Sequence, residues 1–250
     1  MIGVAVVVRV LQVSDIHAVR AAGGLAYGHD SEGNLRRVLA AGALQAGPFD
    51  VVLATGDIAD DASPEAYRRV RDALGSGGHH VRWVPGNHDD PDRMAAVDPH
   101  GCEPLDVGAW RILPVDTRRP GHVDGRVASS ALLDLGRQLT QAGNRHCLIA
   151  LHHPPHSPCI TPSCLLVNAE RVVETLTAGP SVRAVVSGHL HQGFAFHRND
   201  VWWIGAPSTC FQVSHPDHTP TTQPPAAHVL ELHADGSLAV STASAGREPR

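Results

Sequence analysis

Five short polar motifs, set at or near the ends of apolar runs, constrain this chain more than any other feature. Asp15-Ile16-His17 follows the run that ends at Val13. Gly56-Asp57 follows residues 51–55. Gly86-Asn87-His88-Asp89 follows 81–84 and Pro85. His152-His153-Pro154 follows 147–151, and Gly188-His189-Leu190-His191 follows 182–187. Runs of four to eight apolar residues bounded by turn formers read as strands covered on both faces. Further runs lie at 6–13, 110–115, 194–197, 201–204 and 228–233. Helix-like segments fall between them at 31–46, 64–74, 129–141 and 168–177. In the first, Ser31 is a plausible cap and Leu35, Val38, Leu39 and Leu44 share one side. Ser63 before Pro64 is a good start for the second.

Strands that alternate with helices indicate an α/β fold, and the strand-rich last third suits two sheets packed face to face between helices. In such sheets the carboxyl ends of the strands line the ligand crevice. Residues two apart in extended chain point the same way, so Asp15 and His17 can face one metal; His189 and His191 can do likewise or split between two ions. Glycines before Asp57, Asn87 and His189 allow sharp turns and close approach. Carboxylate, amide carbonyl and imidazole donors without thiolate suit Mn, Fe, Zn or Co. Asp15, His17, Asp57, Asn87, His152, His189 and His191 are too many donors for one tetrahedral ion. They suit two ions sharing a bridging carboxylate, about 3.5–4 Å apart, which can clamp an in-line displacement at phosphorus. If these residues were only caps, turns and core histidines, the concentration of polar groups at strand ends would be costly and unexplained.

Length and composition set the remaining bounds. The chain has 250 residues, enough for one large domain, expected over 1–243 with a frayed tail at 244–250. A net charge of -5 without basic runs argues against nucleic acid as a partner. All 20 basic residues are Arg, which excludes a Walker A loop or a Schiff base. The five cysteines form no C-x-x-C pair and read as thiols of a reducing compartment; a Cys159–Cys164 bridge is conceivable. The apolar start runs straight into Asp15 and reads as a core strand rather than a signal peptide. No run is long enough to span a membrane, so a soluble cytoplasmic enzyme is the expectation.

Together the motifs resemble the calcineurin-like metallophosphoesterase superfamily. The segments around Asp15, Asp57, Asn87 and His189 are similar to its bacterial 3′,5′-cyclic-AMP phosphodiesterase branch. So are Pro207-Ser208-Thr209-Cys210-Phe211-Gln212 and Leu230-Glu231-Leu232-His233-Ala234-Asp235-Gly236. The resemblance implies a four-layer α-β-β-α sandwich and two metal ions, most often Fe and Mn, with Zn or Co as alternatives. It implies that Asp15, His17 and His191 hold one ion, that Asn87, His152 and His189 hold the other, and that Asp57 bridges them. A bridging hydroxide would attack phosphorus, and His88, beside Asn87, would stabilise the transition state or protonate the leaving oxygen. Of the adjacent pair, His152 is the expected ligand because the family's ligand is the first histidine after the strand; His153 would support it. The implied substrate is a small cyclic nucleotide, cAMP, hydrolysed to 5′-AMP. Other phosphodiesters or phosphomonoesters, as in a glycerophosphodiesterase, nucleotidase or protein phosphatase, are the alternative, and a non-catalytic scaffold is a remote one. Residues 23–30 and 158–167 depart from the family and are expected near the substrate mouth. His79, His80, His156, His215 and His218 read as loop or turn residues. Asp60-Asp61 reads as a solvated turn, and Asp89 as a partner of His88 or a ligand.

Overall fold

The computed structural model describes residues 7–157, 164–179, 181–215 and 217–246. Its first half alternates: β1 (Val8–Val13), α1 (Ser31–Ala46), β2 (Val51–Thr55), α2 (Pro64–Gly75), β3 (His80–Val84) and α3 (Pro91–Val97). Then come β4 (Leu105–Val107), β5 (Trp110–Pro114), α4 (Ser129–Gln141), β6 (His146–Ala150), α5 (Ala169–Thr177) and β7 (Val182–Ser187). The remainder is strand: β8 (Phe194–Arg198), β9 (Val201–Gly205), β10 (Val213–Ser214), β11 (Thr219–Pro220), β12 (Ala226–Leu232) and β13 (Leu238–Ser244). One sheet has the order β13-β12-β1-β2-β3 and the other β4-β5-β6-β7-β9-β8. β1, β2 and β3 are mutually parallel, as are β5, β6, β7 and β9.

The period-2 alternation of the strands builds the layers. Val8 and Val10 of β1 join Val51, Leu53, Trp110, Ile112, Leu148 and Ala150 in a core between the sheets. Leu11 and Val13 point the other way, into a core with Leu35 and Val38 of α1 and Tyr67, Val70 and Leu74 of α2. Cys147 and Ile149 of β6 likewise pack outward against Leu132 and Leu135 of α4 and Val172 and Leu176 of α5. The result is the α-β-β-α sandwich. Strands covered on both faces must be apolar throughout, which is why they read as continuous runs. Gln12, on the inter-sheet side of β1, ties the sheets together below the motifs: its Nε2 donates to Thr55 Oγ1 at 3.2 Å and to the Ser187 carbonyl at 2.9 Å. No helix among the described residues is long and apolar enough to cross a membrane.

The structure corrects several local expectations. Asp30, not Ser31, caps α1, its carboxylate accepting from Gly33 N at 2.9 Å. Leu44 is 90% exposed. It lies nine residues beyond Leu35, and at roughly 100° per residue that is the opposite face of the helix. Ser63 stands at the cap position of α2, but its hydroxyl makes no capping bond. Helix α3 was not anticipated, although Asp90-Pro91 is a cap-and-first-turn signal and the Asp90 carboxylate accepts from Asp92 N and Arg93 N. Residues 219–227, whose run of Pro and Thr reads as loop, contribute Thr219 and Pro220 to β11, and Ala226 and Ala227 to β12. His80 opens β3 rather than lying in a loop. Residue 6, Cys159 and residues 247–250, which featured in the expected first strand, bridge and tail, lie outside the described residues.

Deleting the Leu53 side chain, buried between the sheets, is expected to cost about 2–5 kcal/mol. Leu44→Ala should change stability by less than about 0.5 kcal/mol. Urea unfolding midpoints of the two variants check the layer assignment.

Candidate metal centre

Each motif begins where a strand stops and the backbone reverses. Asp15, His17, Asp57, His189 and His191 all have φ between 50° and 71°. Non-glycine residues in this left-handed region cost about 1–3 kcal/mol each and persist where the surroundings over-determine them. Here the loops are stitched together. Asp15 N donates to Gly56 O at 3.0 Å, and Ile16 N and His17 N both donate to Asp57 O at 2.9 Å. Gly188 N donates to His152 O at 3.0 Å, joining the loops after β6 and β7. Across the sheets, His189 N donates to the Asp15 carboxylate at 3.1 Å. The loops approach too closely for side chains at their glycines: a Cβ on Gly56 would lie 2.2 Å from His152 Nδ1, one on Gly86 2.2 Å from Asp57 Oδ1 and one on Gly188 2.0 Å from Ser14 Oγ.

The loops bring the seven anticipated donor residues together around a cavity of about 460 Å³, lined in part by His17, Asp57, Asn87, His88, His189 and His191. The imidazole tautomers are fixed from behind. Nδ1–H of His17 donates to Asp60 Oδ1 at 3.0 Å, that of His152 to Thr55 O at 2.8 Å, and that of His191 to Phe211 O at 2.9 Å. Each ring therefore turns Nε2 inward, and it is this nitrogen that offers a lone pair once the ring is neutral. The Nε2 atoms of His17 and His191 face each other at 3.2 Å, and His191 Nε2 is 3.5 Å from Asp15 Oδ1. His152 Nε2 is 3.1 Å from Asn87 Oδ1 and 3.4 Å from Asp57 Oδ2. Asp57 Oδ2 is also 3.8 Å from His17 Nε2, so it stands between the two groups of donors. Acceptor facing acceptor at such distances is repulsive unless positive charge lies between. A proton can fill one gap; a set of this size fits metal cations. Donor atoms of Asp15, His17 and His191 lie within 4.8 Å of one another, as do those of Asp15, Asp57 and His152.

The electrostatics carry the same signature. Burial opposes charge on His152, yet the Asp57 carboxylate pushes its pKa up to about 9. Burial likewise opposes ionisation of Asp57, but His152 and His17 hold its carboxyl well below the ordinary range. His17 is raised against burial by its bond to Asp60 and by Asp57 and Asp15. Burial and the neighbouring histidines push His189 down, and burial lowers His191 despite Asp15.

Other residues stand where the sequence did not put them. Asp60 is no solvated turn: its Oδ1 accepts from His17 Nδ1 and from Tyr27 OH at 2.9 Å and lies 3.3 Å from His88 Nδ1. A ligating histidine commonly donates its second nitrogen to a carboxylate, which is the signal that could have found Asp60. Asp89 is neither a partner of His88 nor in the donor cup. Buried, it accepts from Ile58 N, Ala59 N, Gly86 N and Tyr67 OH, bracing the Asp57 loop against the Asn87 loop. Burial and the charge of Asp57 push its pKa up to about 6. His153 uses both ring nitrogens, Nδ1 with Thr117 Oγ1 at 2.8 Å and Nε2 with Val123 O at 3.0 Å, so His152 is the one of the pair with a lone pair to offer. Tyr27, Phe211, Cys164, His215 and His218 line the cavity. His156 instead packs edge-on to Trp203.

A cation needs unprotonated imidazole, so metal uptake at neutral pH must displace the proton that Asp57 holds on His152. Divalent-metal affinity of the metal-free chain should rise with pH towards about 9, and binding should release protons. Calorimetry in buffers of different ionisation enthalpy measures both; a pH-independent affinity with a buffer-independent heat contradicts this.

A family model of calcineurin-like phosphoesterases matches residues 8–193. The chain is 32% identical over 240 residues to the 3′,5′-cyclic adenosine monophosphate phosphodiesterase CpdA of Pseudomonas aeruginosa, covering 92% of this chain and 88% of that protein. It is 33% identical over 198 residues to a 3′,5′-cyclic-nucleotide phosphodiesterase of Nostoc sp., covering 76% and 74%. Its fold is that of a dimetal phosphatase from Danio rerio, with a TM-score of 0.69, 17% identity and coverage of 96% and 99%. The match over most of the chain, the relatives and the motifs agree: the chain belongs to the calcineurin-like phosphoesterase family.

Proposed function

We propose that this chain is a phosphodiesterase that hydrolyses 3′,5′-cyclic AMP to 5′-AMP at a dinuclear metal centre. The observation that carries the reading is the set of inward-facing Nε2 atoms, with Asp57 Oδ2 between the His17–His191 pair and the His152–Asn87 pair. In this reading Asp15, His17 and His191 would hold one ion, Asn87, His152 and His189 would hold the second, and Asp57 would serve both. All seven donors are oxygen or nitrogen, which suits Fe and Mn, with Zn or Co as substitutes. Two such ions supply charge neutralisation of the phosphate and a nucleophile generated from water.

The chain's own groups do the rest. Asp60 and the carbonyls of Thr55 and Phe211 hold the imidazoles in one tautomer, so the donors are preorganised. Hydrolysis adds water to phosphorus and breaks the P–O3′ bond, and the departing oxygen needs a proton. His88 lines the cavity, partly exposed, with its Nδ1 held 3.2 Å from Asp60 O, which turns Nε2 to the task. Phe211 and Tyr27, rings 5.3 Å apart, give one wall an aromatic surface that a purine can use and a glycerol cannot. That wall and the names of the relatives favour a cyclic nucleotide over a glycerophosphodiester, a nucleotide monoester or a phosphoprotein.

Turnover of cAMP, a glycerophosphodiester and a phosphomonoester with Mn supplied is the direct test; cAMP should lead, and no cAMP hydrolysis would refute the substrate. His88→Ala should keep its metals and lose about 10²–10⁴-fold in kcat. Asp57→Ala should lose metal as well as turnover, and full metal content in that variant would remove the bridging role.

A further inference from the structure

A second cluster of donors stands at the mouth of the cavity, outside the seven. Cys164, His215 and His218 each offer a ligand atom, and these three atoms lie within 4.8 Å of one another. Cys164 Sγ is 3.9 Å from His218 Nε2, and the rings of His215 and His218 meet edge to face at 4.7 Å. Sulfur at about 2.3 Å and nitrogen at about 2.0–2.1 Å from a tetrahedral zinc lie roughly 3.5 Å apart, so little closure is needed. His215 Nε2 lies 2.8 Å from Leu190 O, which anchors the ring beside the loop after β7. The turn that carries His218 is built to hold it. Asp217 accepts from Ser214 Oγ at 2.8 Å and from Thr219 Oγ1 at 3.1 Å, and β10 pairs with β11 on either side.

We propose that Cys164, His215 and His218 form a separate mononuclear site for a borderline cation of the zinc class. Thiolate with two imidazoles is a donor set that selects zinc over the manganese and iron suited to the sulfur-free main centre. The cation ties the segment carrying Cys164 to the β10–β11 hairpin, whose Val213 N donates to the backbone oxygen of His191 at 3.1 Å. It thereby fixes the rim of the substrate cavity. Three protein donors leave one tetrahedral position for water or a substrate oxygen, and all three residues line the same cavity as the main centre. The inference does not rest on the cAMP assignment.

Cobalt(II) is the probe, because thiolate-to-cobalt charge transfer absorbs in the near ultraviolet and the seven donors of the main centre contain no sulfur. Cobalt added to the metal-free chain should give this band. Cys164→Ser should abolish it and bind one ion fewer per chain. His218 is exposed, so His218→Ala should fold normally while weakening the band-forming affinity at least ten-fold. No thiolate band in the parent chain, a band that survives Cys164→Ser, or unchanged affinity in His218→Ala overturns the site.

Discussion

His17, His152 and His191 each hand the proton on Nδ1 to a fixed acceptor and so aim an Nε2 lone pair at another acceptor. Much of the surrounding structure follows from that arrangement. It needs cations between the rings, and it needs a scaffold rigid enough to hold repelling groups together when cations are absent. Five donor residues sit in the left-handed backbone region, where they are strained, and the strain is held by hydrogen bonds between loops that come from both sheets. At Gly56, Gly86 and Gly188 one loop passes through space that a side chain would occupy.

The scaffold supports the site at three points. Gln12 fastens the sheets to each other just beneath the motifs. Asp89 then gathers the loops after β2 and β3 onto one buried carboxylate. Asp60 sits outermost and links His17, Tyr27 and His88, so the proposed metal ligand and the proposed proton donor share one anchor. A substitution at Asp60 therefore acts on both jobs at once, which makes it a poor position for separating them.

The sequence announced what depends on local pattern. Strands buried on both faces read as apolar runs, and the motifs at their ends read as donors because carboxyl ends of strands meet in α/β folds. Helix α1 was legible to the residue, and so were Leu35, Val38 and Leu39 of its packed face; Leu44 looks like part of the same stripe until the helical angle from Leu35 is taken into account. β13 escaped because it is an edge strand of small and polar residues, largely exposed, and such a run carries no periodic signal. The partners of the donors were hidden for another reason. Asp60 with His17, Tyr27 with Phe211, and Cys164 with His218 are brought together by loops far apart in the chain, and no spacing rule encodes such meetings.

In the proposed centre two adjacent cations occupy one cup of seven donors with Asp57 between them. Anomalous diffraction from crystals grown with manganese, recorded on both sides of the metal edge, reads this out directly. The account predicts two peaks about 3.5–4 Å apart, one beside His17 and His191 and one beside His152 and Asn87. A single peak in the cup, or none, contradicts it.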